Sequence, residues 1–414
     1  MRKTRLIRPT YTESFRCIGP ACEDSCCLGW RVDIDEATYA KYHSVAAGPL
    51  RAAIDANFLR TAEDAGGSKP KAFAHVKMLP SLRCPFHTAE QLCQIQVELG
   101  ETYLSRTCAS FPRIVYVIDK LEEKTLQLSC PEAARLVLTN PDLLPAPGKD
   151  DLIANWDDTG KGEPALRSYF WPIREFAIAL VRNRAYPLWQ RMFLLGVFSR
   201  RLDAIVRGEC ERVFPVFLRE FEAAVRSGIL RATMETIPVD LALQLDMVMQ
   251  LVQLRMDGTI MNSRLAECLN AFIQGVGYGR ETTLKGQSAL YAAAYECFYA
   301  PFFLEHPQML ENYLADMIFR RLFPFSTKLF DPVATPEPAR EYALLAIEFA
   351  LVKGLLIGVA GSHREAFSTE HVLQTVQSVF KHFEHNPDFL SNAHRLLVLR
   401  GCEDARGLTM LLRN

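Results

Sequence analysis

Eight of the twelve cysteines of this 414-residue chain fall within its first 130 residues. Cys17, Cys22, Cys26 and Cys27 form Cys-x4-Cys-x3-Cys-Cys, and Cys84, Cys93, Cys108 and Cys130 follow. Cys210, Cys268, Cys297 and Cys402 stand isolated in the remainder. No apolar h-region follows the N-terminal charges Arg2, Lys3, Arg5 and Arg8, so the opening residues do not read as a secretory leader and the expected compartment is cytoplasmic. Thiols persist in such a reducing setting, where clustered cysteines are metal ligands before they are disulfides. Packing explains an isolated buried cysteine, which behaves as a small hydrophobe; that reading suits the back four. It explains neither the adjacent pair Cys26–Cys27 nor the close spacing around it. The front of the chain is therefore expected to fold around a thiolate-bound centre.

All-thiolate ligation suits zinc or iron–sulfur, and spacing alone does not choose between them. One four-ligand cluster with four bystanders, two four-ligand sites, or a zinc site beside a cluster all remain open. The pattern is neither the paired Cys-x2-Cys of a zinc ribbon nor the Cys-x2-Cys-x2-Cys-x3-Cys run of bacterial ferredoxins. The Cys-x3-Cys-x2-Cys spacing of radical adenosylmethionine enzymes is absent too, because Cys26 is followed at once by Cys27. His87, in Cys84-Pro85-Phe86-His87, reads as a turn residue, with ligation as the alternative. His382 and His385 share a helix end and read as solvent-exposed. Asp35 reads as the N-cap of a helix over 36–45, while the role of Asp33 stays open.

Composition removes several classes. A formal charge of −1 leaves no basic footprint for nucleic acid. There is no glycine-rich nucleotide loop after a strand, no phosphate loop and no nucleophile elbow. The longest apolar stretch, Tyr342 to Gly361, nearly reads as a membrane span, which needs about 20 apolar residues. Glu348 and Lys353 interrupt its middle, where one charge costs about 3 kcal/mol. A buried core helix is expected there, with no transmembrane segment; composition leaves surface association with a membrane open, and oligomeric state unread.

Short elements alternate at the front. Residues 29–34 read as a strand and 85–91 as a hairpin-like turn between Cys84 and Cys93. Residues 95–104 read as a helix, and 114–118 and 125–128 as a β-hairpin that delivers Cys130 to a helix starting near Pro131. Pro141, Pro145, Pro147, Gly148, Gly160 and Gly162 mark 140–163 as a linker. Beyond it, helical patterning covers 168–184, 188–206, 212–226, 240–255, 263–273, 287–299, 309–322, 340–357, 368–382 and 388–395. The expected fold is mainly α: a small cysteine-rich α+β domain over 1–139, packed on an all-helical domain over 164–414.

Three stretches carry a resemblance. RLIRPTYTESFRCIGPACEDSCCLGWRVDIDEATYAKY, RCPFHTAEQLCQIQVELGETYLSRTCASFPR and LQLSCPEAARLVL resemble the corresponding parts of bacterial flagellin lysine-N-methylases. YAPFFLEHPQMLENYLADMIFRRLFPF, in the back half, is similar to the same family. The resemblance implies transfer of methyl groups from S-adenosylmethionine to lysine ε-amines of flagellin. It also implies a [4Fe–4S] cluster in the cysteine-rich region, with zinc as the alternative metal. The family's cysteine motif falls on Cys17, Cys22, Cys26, Cys27, Cys84, Cys93, Cys108 and Cys130. No local motif locates the adenosylmethionine pocket or the base. The competing reading is a non-enzymatic zinc or iron carrier or assembly factor.

Overall fold

The computed structural model describes residues 9–61, 72–141, 143, 166–208, 214–256, 262–279, 283–331, 333–384 and 387–414. Arg2, Lys3, Arg5, Arg8, Cys210, His385 and most of the expected linker lie outside the described residues. The chain divides into two compact units. One is Thr12–Ala134; the other combines Arg135–Asn414 with the described residues of Met1–Tyr11.

In chain order the first part contains α1 (Tyr11–Ser14), β1 (Asp33–Ile34), α2 (Glu36–His43), α3 (Pro49–Asn57), β2 (Phe58–Arg60) and β3 (Ala74–Val76). Then come α4 (Gln94–Leu99), α5 (Arg106–Ser110), β4 (Arg113–Ile118), β5 (Leu121–Leu126) and α6 (Pro131–Leu138). Asp35 caps α2 as expected, its carboxylate accepting from the Thr38 amide (2.9 Å) and hydroxyl (2.7 Å). Asp33 is held at the surface by Arg31 (2.7 Å). The strand expected over 29–34 shrinks to two residues, Asp33 and Ile34, which pair with His75 and Ala74 of β3; Val32 adds one bond from Val76 N to its carbonyl (2.9 Å), and Gly29 N turns to Leu82 O (3.0 Å). β2 and β3, not foreseen, complete an antiparallel sheet of order β1-β3-β2. Ile34, Tyr42, Ile54, Phe58, Phe86 and Ile95 meet in the core beneath it. The helix expected over 95–104 stops at Leu99: Gly100 takes φ 89°, and a 3-10 turn follows over Glu101–Tyr103. β4 and β5 pair from Ile118↔Leu121 to Arg113↔Leu126. Their turn needs only Asp119 and Lys120, both at positive φ, as a two-residue hairpin turn requires. The second strand therefore starts four positions before the expected Thr125.

The other unit is helical throughout its described part. It holds α7 (Phe170–Val181), α8 (Leu188–Val206), α9 (Phe214–Ser227), α10 (Arg231–Glu235), α11 (Leu241–Met256), α12 (Ser263–Gly275) and α13 (Leu284–Ala294). α14 (Ala300–Glu305), α15 (Gln308–Arg320), α16 (Pro338–His363), α17 (Thr369–Val379), α18 (Pro387–Leu399) and α19 (Ala405–Met410) follow. α13 runs through a π-helical turn over Tyr295–Tyr299 directly into α14, so Pro301 lies inside a continuous helical run.

α16 is long and apolar enough to cross a membrane, yet its residues are buried among α8, α11, α12, α13, α17 and α18. A helix apolar all round belongs in the middle of such a stack. The two charged residues in its middle are buried and answered: Glu348 pairs with Arg321, and Lys353 Nζ donates to Leu412 O and Asn414 Oδ1. His382, expected at the surface, is buried. The cause is a π-helical turn over Phe380–Glu384, whose wider winding shifts the register and turns Phe380, His382 and Phe383 inward together.

The start of the chain closes onto this unit. The Tyr11 hydroxyl donates to Asp316 Oδ1 of α15, with both groups buried. Thr10 N donates to Leu143 O (3.4 Å) and Asn140 Nδ2 to Thr10 Oγ1 (3.3 Å). Asn312 Nδ2 satisfies two carbonyls at the end of α6, Val137 O (3.0 Å) and Asn140 O (2.6 Å).

Candidate metal centre

The double cysteine occupies a tight turn. The Cys27 amide donates to Ser25 Oγ (3.1 Å) and Trp30 Nε1 to Cys26 O. The Cys84 amide donates to Cys27 O (2.8 Å), and Leu28 bridges Arg83, so the second cysteine segment runs beside the first. The expected turn between Cys84 and Cys93 forms: Thr88 N donates to Leu92 O (2.9 Å), and His87 bridges Cys93. Cys84 and Cys93 thereby meet at one end of a narrow loop. Cys108 arrives from α5, whose N-cap Ser105 accepts from the Cys108 amide (3.3 Å).

Cys26, Cys27, Cys84, Cys93 and Cys108 line one pocket. Tyr42, Phe58, Phe86 and Ile95 wall it, and Trp30 and Phe111 meet edge to face across it, ring centroids 4.9 Å apart. The wall residues were not singled out from sequence. Phe111, three positions after Cys108, and Trp30, three after Cys27, were the available signal.

Cys17, Cys22 and Cys130 do not line this pocket. Cys22 follows a 3-10 turn over Gly19–Ala21, and its thiol donates to Asp24 O (3.2 Å). Cys130 directly precedes α6, its amide held by Gln127 O (3.2 Å). These outer thiols sense Cys26: Cys22 is influenced by Cys26 and Cys17, and Cys130 by Cys22 and Cys26. Cys26 thus borders both groups.

Lost hydration raises the thiols, pushing Cys84 up to about 11 and Cys130 up to about 12. Cys108 is exposed as a whole residue, but its thiol faces the pocket and loss of water there pushes it to about 12. Cys27 rises furthest, first through its hydrogen bond with Cys26 and then through burial. No disulfide joins the described cysteines. Among the described residues, no three Cys, His, Asp or Glu side chains converge on a single-ion site. His87 is committed elsewhere: Nδ1 accepts from Arg83 Nε (2.8 Å), and Nε2 meets Ser25 Oγ (3.2 Å). Cys268 and Cys402 are buried in the helical unit, as packing predicts, whereas Cys297 is exposed, so the packing reading does not hold for it.

Comparison with known proteins covers both units. Residues 174–411, over half of the chain, match the family described as the FliB lysine N-methylase C-terminal domain. A lysine-N-methylase of Salmonella typhimurium is 23% identical over 411 residues, 95% of this chain and 96% of the relative. Its counterpart from Salmonella choleraesuis is 22% identical over 408 residues, again 95% and 96%. The flagellar biosynthetic protein FliU of Salmonella muenchen is 30% identical over 145 residues, 35% of this chain and 83% of that protein. No solved structure matches. With its helical unit matched to that domain and full-length relatives spanning the cysteine-rich unit too, the chain belongs to the FliB lysine N-methylase family.

Proposed function

We propose that this chain is a cytoplasmic methyltransferase that moves the methyl group of S-adenosylmethionine onto lysine ε-amines of flagellin, with a [4Fe–4S] cluster on its front cysteines. The observation that carries the reading is the meeting of five thiols in one apolar pocket, in a chain of the lysine N-methylase family. Cys27, Cys84, Cys93 and Cys108 are the proposed holding set, with Cys26 between them and an outer group of Cys17, Cys22 and Cys130. An all-thiol donor set fits iron–sulfur or zinc. The choice of a cluster over zinc rests on the resemblance to the flagellin lysine-N-methylases, and metal analysis decides between them.

Methyl transfer breaks the sulfonium S–CH3 bond and forms an N–CH3 bond, so the lysine amine must first lose its proton. Its ordinary pKa of about 10.4 falls when the ammonium loses its water. Trp30, Tyr42, Phe58, Phe86 and Phe111 supply such a water-poor wall. When bound, the cluster supplies soft Lewis-acidic iron. The helical unit is proposed to recognise the protein substrate.

Anaerobically purified protein should contain iron and acid-labile sulfide, and should transfer label from adenosylmethionine to flagellin. Stoichiometric zinc without sulfide, even after reconstitution, would remove the cluster from the proposal. No transfer by the metal-replete protein would favour a metal carrier instead.

A further inference from the structure

One face of α8 in the helical unit carries unspent charge. Phe193, Val197, Arg200, Arg201 and Ala204 recur at helical spacing and line a cleft of about 470 Å³. Arg406, in the first turn of α19, enters the same cleft from the other side. Arg200, Arg201 and Arg406 are exposed. Among the described residues none of the three makes a hydrogen bond or an ion pair. Neighbouring arginines behave otherwise: Arg207 pairs with Asp203 (2.6 Å) and Arg413 with Glu235 (2.9 Å). Three guanidinium groups facing one cleft repel each other, and no contact within the unit compensates them.

The lining holds one acid, Asp404, and it is already engaged. Its Oδ1 accepts from Gly407 N (2.6 Å), and its carbonyl accepts from Leu408 N (2.9 Å). The side-chain bond caps the Gly407 amide, and α19 is only six residues long, so the cationic character of the cleft comes from its arginine side chains. Guanidinium forks match carboxylates two bonds at a time. The floor between them is apolar, with Phe193 and Ile237 buried beneath the rim.

We propose that this cleft binds an acidic stretch of polypeptide whose carboxylates alternate with apolar side chains, supplied by the protein that the enzyme methylates. The identity of the supplier rests on the reading of a protein substrate given above; the cleft's preference for acidic peptide does not.

The test uses the full-length protein without added cofactor and a fluorescein-labelled octapeptide of alternating Glu and Leu, read by anisotropy. The peptide should bind, and more weakly as salt rises. Replacing its Glu by Gln, or using the doubly substituted Arg200→Glu, Arg201→Glu protein, should weaken binding at least about tenfold, the scale of lost charge contacts. Arg201→Lys should lose less. Unchanged melting and iron content in the double variant establish that it folds. Equal binding of the Glu and Gln peptides, equal binding to both proteins, or displacement by pyrophosphate or single-stranded DNA at lower concentration than by unlabelled Glu peptide would overturn the proposal. Because no methyl transfer is measured, an inactive enzyme leaves the outcome intact and faults only the functional reading.

Discussion

Serine substitution at each front cysteine should sort the eight into two sets. Cys26→Ser, Cys27→Ser, Cys84→Ser, Cys93→Ser and Cys108→Ser should lower iron and sulfide most, because these thiols line the pocket. Cys17→Ser, Cys22→Ser and Cys130→Ser should lower them less, and Cys268→Ser and Cys402→Ser should have no effect. Equal losses from all eight would instead indicate one centre drawing on both groups. Lys353 makes a pH prediction. Burial depresses its amine from 10.5 to about 7 in the fold, so as pH falls from 10.5 the unfolded chain takes up this proton first. Stability should therefore fall between pH 10.5 and 7, by up to about 1.4 kcal/mol per pH unit, and level off below. Urea melts of Lys353→Met should lack that component; a pH dependence matching the wild type would show that the amine is charged in the fold. At this scale the sequence was legible wherever a side chain serves its own neighbours. Asp35 caps the helix it precedes, and Pro85–Gln91 turns where it should. The approach of Cys130 to Cys22 was not legible, since it depends on how a hairpin and a helix start are placed. Nor was the burial of His382, which a single wide turn decides.

Several helices were readable almost to the residue, α8 being the clearest case. Failures cluster in elements held by distant partners: β2 and β3 are three residues each and exist only because they pair with one another and with β1. α16 depends on contacts closer than side chains normally permit. A Cβ built on Gly275 of α12 would stand 1.8 Å from the Gly358 carbonyl oxygen, and one on Gly358 would stand 2.3 Å from the Phe272 ring. Gly275→Ala should thus force the two helices apart and cost about 3 kcal/mol or more, measured by chemical denaturation. Gly48→Ala, with open space around the added methyl, is the matching control in the other unit. An equal cost at Gly48, where the unfolded-chain entropy change alone favours alanine, would refute the helix contact as the cause.

At the scale of the molecule, the division into two units separates two kinds of stabilisation. The cysteine-rich unit can draw folding free energy from metal binding, while the helical unit relies on the burial of α16. Tyr11→Phe provides a test, since it removes a buried hydroxyl from the Asp316 carboxylate. A hydrogen bond to a charged group contributes about 1.5–3 kcal/mol. Calorimetry should show the helical transition lowered by that amount, with iron content unaltered; parallel loss of iron would mean that the two units do not unfold separately. The same contact has a consequence for biosynthesis. Residues 9–11 leave the ribosome before their partners Asp316 and Leu143 are made, and everything from Thr12 to Ala134 lies between two passes through the helical unit. In topology the cysteine-rich part is an insertion whose entry and exit are tied together at Thr10, Asn140 and Leu143. It can complete itself while the rest is still being translated, and evolution could replace it whole without rethreading the helices that carry it.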